Sequence, residues 1–140
     1  MLPTKTDSVG RLIRRASNLF TRELDNFAKQ YDLTSQQMTI IILLADNPDR
    51  EVTQTDIQQS LNIRKSTTTE LLQRMEKHEL IERKISDIDS RKRILTLTKK
   101  SADLAAIVSQ FTTEYDQKIL SNLTENEKEI VIKFLQETTK

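Results

Sequence analysis

One glycine, Gly10, and two prolines, Pro3 and Pro48, are all the strong backbone punctuation in this 140-residue chain. Tight turns and loops draw on those two residue types, so their scarcity predicts long helices joined by short connections. A chain of this length can build one modest core. Apolar residues at Leu12, Ile13, Ala16, Leu19, Phe20, Leu24, Phe27, Ala28 and Tyr31 recur three and four apart, which places a single stripe on a helix over 8–31. Thr34-Ser35-Gln36-Gln37 reads as a helix start, with Thr34 as cap and Gln37 reaching back. The run Met38 to Ala45 that follows is apolar nearly all round, as in a central buried helix. Asp46-Asn47-Pro48-Asp49 ends it in a turn.

The next start signal is Thr53-Gln54-Thr55-Asp56, with Thr53 as cap and Asp56 in the first turn. That helix is short. Ile57 and Leu61 face inward, and Asn62, a residue that tolerates a left-handed backbone, closes it. After Arg64 and Lys65 a further helix opens at Ser66-Thr67-Thr68-Thr69 and runs to about His78, with Leu71, Leu72 and Met75 as its stripe. A short helix, a tight turn and a second, basic helix make a helix-turn-helix. Three successive threonines are poor helix formers, so helix propensity does not account for them. They are short donors and acceptors, with methyl groups suited to thymine, at the helix end that DNA-binding proteins point into the major groove. Plain capping is the other explanation, but it needs one such residue and not four.

Leu80 to Ile85 then reads as a strand, and Ile94 to Leu97 as its return partner, with Ile85, Leu95 and Leu97 available for the core side. The loop between them carries Asp87, Asp89 and the cations Arg91, Lys92 and Arg93. A two-stranded hairpin after a helix-turn-helix is a wing, and a narrow cationic tip suits the minor groove. Bare cations repel one another. A carboxylate such as Asp89 can hold Arg91 by a charge-assisted pair and aim it. Charge along the chain is uneven: +3 over 1–31, −4 over 32–63, +3 over 64–93 and −1 over 94–140, for a net of +1. A positive middle in a nearly neutral chain is a patch that can bind, although a solvated charged helix gives the same numbers.

The order of these elements resembles the multiple-antibiotic-resistance regulator (MarR) family of winged helix-turn-helix transcription factors. The resemblance rests on Thr53-Gln54-x-x-Ile57, on Lys65-Ser66-Thr67 through Leu72 and Met75, on Leu80-Ile81-x-Arg83, and on the wing motif Asp89-x-Arg91-x-Arg93 followed by Leu95-x-Leu97-Thr98. It implies a mainly α fold with a two-stranded β wing, in which 34–98 form the DNA-binding lobe and 8–31 and 101–139 supply dimerisation helices. It also implies that Asp89 braces Arg91, that Arg91 enters a minor groove, and that the start of the 66–78 helix reads bases. The candidate DNA-contacting set is Thr53, Gln54, Arg64, Lys65, Ser66, Thr67, Thr68, Thr69, Arg74, Asp89, Arg91 and Arg93. Within it, Thr67 and Thr68 are expected to read base edges, and Thr53 and Arg74 to meet phosphates. The family often has glycine where this chain has Asn62, Glu79 and Ser101. A left-handed turn kept at Glu79 would cost about 1–2 kcal/mol.

Beyond the wing, Leu104, Ile107, Val108, Phe111, Tyr115, Ile119 and Leu123 form the stripe of a long helix over 101–123. Thr124-Glu125-Asn126-Glu127 is a capping box, and Ile130, Val131, Phe134 and Leu135 follow on the last helix. The two terminal helices and the long first helix hold more apolar surface than a small wing domain needs, which predicts a homodimer, with internal packing alone as the alternative, and the resemblance implies that all three helices build the interface. With no cysteine and one histidine, His78, the composition argues against thiol chemistry, a catalytic triad and a soft-metal site, and no cofactor is expected. The chain has no glycine-rich phosphate loop, and its carboxylates are spread along helix faces, so an enzyme is not expected. The longest apolar run, Ile40 to Ala45, is too short for a membrane span, and the N-terminus lacks an apolar signal core, which points to the cytoplasm.

The sequence therefore predicts a bacterial, cytoplasmic, homodimeric repressor of a palindromic operator in double-stranded DNA, with a small organic effector as the family-like means of relief. Arg11, Arg14 and Arg15 are the residues available to line an effector cleft, against the default of arginines on an exposed face. The competing expectation is a helical dimeric adaptor that shares the same core and does not bind DNA.

Overall fold

The computed structural model describes residues 8–140. Their elements run α1 (Val9–Ala28), α2 (Ser35–Ala45), α3 (Gln54–Leu61), α4 (Lys65–Lys77), β1 (Ile81–Ile85), β2 (Arg93–Leu97), α5 (Lys99–Leu120) and α6 (Glu125–Thr138). The chain divides into two compact units, one ending at Ala105 and the other spanning Ala106–Lys140.

In the first unit each helix begins and ends for a local reason. The α1 stripe is buried only at Leu24 and Ala28, and the chain tightens into a 3-10 turn at Lys29–Tyr31, three residues that the sequence stripe had assigned to the helix itself. Asp25 of α1 accepts the Ser35 amide at 3.0 Å, and Thr34 and Gln37 form the expected capping box of α2. Met38, Ile40, Ile41 and Leu44 of α2 are buried at the centre of the core. Thr53 and Asp56 close a second capping box on α3. Asn62 then turns the chain at φ 51°, in the left-handed region, and the Ile63 amide returns to the Gln58 carbonyl at 3.3 Å.

Helix α4 buries Leu71, Leu72 and Met75 as its stripe predicts, and it buries Thr68 with them. It stops at Glu79, which stands at φ 58° while the Leu80 amide reaches back to the Met75 carbonyl at 2.9 Å. The left-handed turn is thus kept without a glycine. Strands β1 and β2 pair antiparallel, Ile81 opposite Leu97, Arg83 opposite Leu95 and Ile85 opposite Arg93. Burial falls along this face from base to tip. Ile81 and Leu95 are buried, whereas Ile85, expected on the core side, is 58% exposed because the hairpin has by then left the lobe. The Leu95 amide donates to the Val52 carbonyl at 2.8 Å and so ties the segment before α3 to the wing.

Thr98 and Ser101 exchange hydrogen bonds, Thr98 N–H to Ser101 Oγ at 3.0 Å and Ser101 N–H to Thr98 Oγ1 at 3.2 Å. This small capping box starts α5 at Lys99, two residues earlier than the sequence suggests. In the second unit α5 ends at Leu120, short of the expected Leu123, and Phe111 and Tyr115 stack along it with ring centroids 6.3 Å apart. The Thr124–Glu127 capping box opens α6, and the Thr124 hydrogen bonds hold the Glu127 carboxyl below its usual range. No residue of α6 is buried.

Candidate nucleic-acid interface

The candidate residues fall into two groups, one at the start of α4 and one at the wing tip. At the start of α4, Arg64, Lys65, Ser66 and Thr67 are exposed, as is Arg74 further along. Thr68 is not. It is fully buried, and its hydroxyl donates to the Arg64 carbonyl at 2.9 Å. A side chain with no exposed surface cannot touch a base edge, so the expectation that Thr68 reads sequence is corrected here. Thr68 lies three, four and seven residues before Leu71, Leu72 and Met75, on the helix face that meets the core.

Thr69 is half-buried and committed to the scaffold. Its hydroxyl donates to the Lys65 carbonyl at 2.9 Å and accepts the Gln54 side-chain amide at 2.7 Å. The Gln54 Oε1 in turn accepts both terminal nitrogens of Arg83, each at 3.3 Å, and Arg83 Nε donates to Glu76 at 2.6 Å. One polar chain therefore joins α3, α4 and β1 through Gln54, Thr69, Glu76 and Arg83. Sequence reasoning placed Gln54 and Thr69 among the DNA contacts and overlooked Glu76. No local pattern connects residues that lie 15 and 29 positions apart. Thr53 is likewise occupied as a cap: its amide donates to Asp56 at 2.8 Å and its Oγ1 accepts the Asp56 amide at 3.3 Å. Thr53, Gln54, Arg83, Lys92 and Arg93 nevertheless line one open cleft of about 480 Å³ between the start of α3 and the wing.

At the wing tip the Arg91 side chain is 89% exposed. Its amide and Nε donate to Asp89 Oδ1 at 3.0 and 3.2 Å, and Nη2 donates to Oδ2 at 3.3 Å. These bonds to Arg91, with Lys92 nearby, hold the Asp89 carboxyl below the ordinary carboxylate range. The carboxylate thus stays charged at neutral pH and fixes where the cation points. The backbone closes beneath the tip, Lys92 N–H to the Asp89 carbonyl and Ser86 N–H to the Lys92 carbonyl, each at 2.9 Å.

A short helix, a left-handed turn, a second helix with a cationic and hydroxyl-rich start, and a two-stranded hairpin with an aimed arginine define a winged helix-turn-helix protein. Residues 31–92 match the model of the MarR family. The chain is 41% identical to the transcription regulator MarR from Oenococcus oeni PSU-1, over 94% of this chain and 98% of that one, with a TM-score of 0.82. The protein belongs to the MarR family. A MarR protein from Peptoclostridium difficile is 25% identical over 99% of this chain and 90% of its own, at a TM-score of 0.84. MepR of S. aureus, in a structure of its DNA complex, shares the fold at a TM-score of 0.86 and 24% identity, with 96% of each chain covered. Comparison with curated proteins finds no match. Among the described residues no helix is long and apolar enough to cross a membrane.

Proposed function

We propose that this protein is a sequence-specific, double-stranded-DNA-binding repressor that acts as a homodimer on a palindromic operator. The observation that carries the reading is the Arg91–Asp89 pair, an almost fully exposed guanidinium held by a bidentate carboxylate at the tip of a wing. Arg64, Lys65, Ser66 and Thr67 at the start of α4 offer a cationic, hydroxyl-bearing surface of the kind that meets a major groove. Arg74 and Arg93 are suited to phosphates. The likeness of the fold to MepR, whose DNA complex has been solved, supports the same reading.

The dimer is supported by apolar side chains left in water on three helices: Leu12 and Leu19 of α1, Ile119 of α5, and Ile130, Ile132, Phe134 and Leu135 of α6. An amphipathic helix with nothing buried, such as α6, needs a partner. In such a dimer the two recognition helices would meet successive major grooves about 34–36 Å apart. Relief of repression by a small organic compound completes the reading, because a chain with no cysteine and one histidine is poorly equipped for thiol or imidazole-metal sensing.

The test is a fluorescence-anisotropy titration at several salt concentrations. Its duplex is selected from a random pool by the wild-type protein, and sedimentation equilibrium runs alongside. The expected result is a dimer that binds a rough palindrome with an affinity that falls steeply as salt rises. A dimer that selects no duplex would instead be the helical adaptor.

A further inference from the structure

Glu51 lies outside the hairpin, in the segment between α2 and α3, yet it anchors the wing tip. Its Oε2 accepts the Ser86 hydroxyl at 2.5 Å, and its Oε1 accepts the Asp87 amide at 3.1 Å. Ser86 is buried, and its Oγ accepts the amides of Ile88 and Asp89, each at 3.0 Å. Asp89 then takes the amide and guanidinium of Arg91. Three successive tip amides, those of residues 87–89, therefore end on two side chains, and the first of these orients the second. A serine hydroxyl has one proton and two lone pairs. Giving the proton to Glu51 leaves both lone pairs directed at the tip amides. Glu51 is itself held in place, since the neighbouring Val52 carbonyl receives the Leu95 amide of β2.

We propose that Glu51 is a positioning residue for DNA binding, which acts through Ser86 and Asp89 on the direction of Arg91 without touching DNA. The inference rests on the DNA-binding reading above and adds to it a residue 35 positions from the serine it orients. Its sign is opposite to simple electrostatics. Removing a carboxylate near a polyanion should tighten binding by charge alone, whereas loss of the anchor should weaken it.

The experiment compares wild type, Glu51→Ala, Glu51→Gln, Arg91→Ala and the Glu51→Ala/Arg91→Ala double variant on the duplex selected by the wild type. Amide exchange is measured on the free proteins. Glu51→Ala is expected to speed exchange at residues 87–89 by about tenfold, with the helices unaffected. It should weaken DNA binding by about fivefold to tenfold, the scale of one misdirected contact. Glu51→Gln keeps one carbonyl acceptor and should recover part of both losses. In the Arg91→Ala background Glu51→Ala should cost nothing further, because a residue that works only through Arg91 has no separate effect. Equal losses in the two backgrounds would overturn the proposal, and so would unchanged or tighter binding by Glu51→Ala. If the wild type selects no duplex, the DNA reading itself falls and takes this proposal with it. A wild type that binds while the two backgrounds behave alike removes Glu51 only.

Discussion

The start of α4 and the tip of the wing are both exposed, polar and cationic, but they are built in opposite ways. At the helix the polar side chains serve their own backbone. Thr68 and Thr69 return hydrogen bonds to the carbonyls four residues earlier, and Arg64, Lys65, Ser66 and Thr67 at its start remain turned to water. At the wing the direction is reversed: side chains of the tip and of the segment before α3 satisfy the backbone, and one cation, paired with Asp89, is held out into water. Ser86, Glu51 and Asp89 absorb the amides of residues 87–91 other than Ser90, and Arg91 projects. A helix makes its own backbone bonds and can leave a reading surface bare. A hairpin tip cannot, and it recruits acids to do so even where the ligand is an acid.

The two regions should therefore respond differently to substitution. The largest effect is expected for Arg91→Ala, which should weaken operator binding by about 1–3 kcal/mol per contacted half-site and lower the salt slope by about one per lost phosphate-like contact. Its thermal stability should be unchanged, since the side chain is in water. A melting curve beside the anisotropy titration checks both.

Next comes the pair Thr67→Val and Thr68→Val. Thr67→Val should reduce preference for the operator over random DNA by about tenfold, while Thr68→Val should leave that preference alone and alter stability by about 1 kcal/mol or less. Equal loss of preference in both variants would mean that Thr68 reaches the DNA despite its burial in the free protein. The smallest effect is expected for Glu79→Gly, which relieves a left-handed backbone strain of about 1–2 kcal/mol while adding unfolded-chain freedom. A net gain of about 0.5–1 kcal/mol, seen as a rise of a few degrees in melting temperature, would follow. A destabilised Glu79→Gly would contradict the strain assigned to φ 58°.

What the sequence disclosed, and what it hid, follows from the reach of each interaction. The capping boxes at Thr34 and Thr124 and the Thr53 cap each span three residues and are legible in the sequence, whereas the return bond from Asp56 that completes a box at Thr53 is seen only in the structure. The turn at Asn62 and the pairing of Arg91 with Asp89 are legible as well. Thr68 is also legible, since it shares the 68, 71, 72, 75 spacing of the buried stripe, and that periodicity outweighs the polar chemistry of the threonine run. Glu51 with Ser86, and Arg83 with Gln54, were not legible. Their partners lie 35 and 29 residues apart and meet only because the segment around Val52 folds against β2. Ile85 was misplaced for a related reason, because alternation predicts which face a strand residue takes but not how far the hairpin stands from the core.

The acid that aims the arginine at the wing tip can be removed outright by Asp89→Ala and the variant titrated on the selected operator. The lowered Asp89 carboxyl keeps this brace intact above the ordinary carboxylate range and releases it only as pH falls through that lowered value, so neutral pH is the right condition. Asp89→Ala removes a negative charge beside DNA, and charge alone would tighten the complex. The structure predicts the reverse, a loss of about threefold to tenfold in anisotropy titrations, with little further loss when Arg91→Ala is already present. Tighter binding by Asp89→Ala would make the aspartate a repulsive bystander that does not aim Arg91.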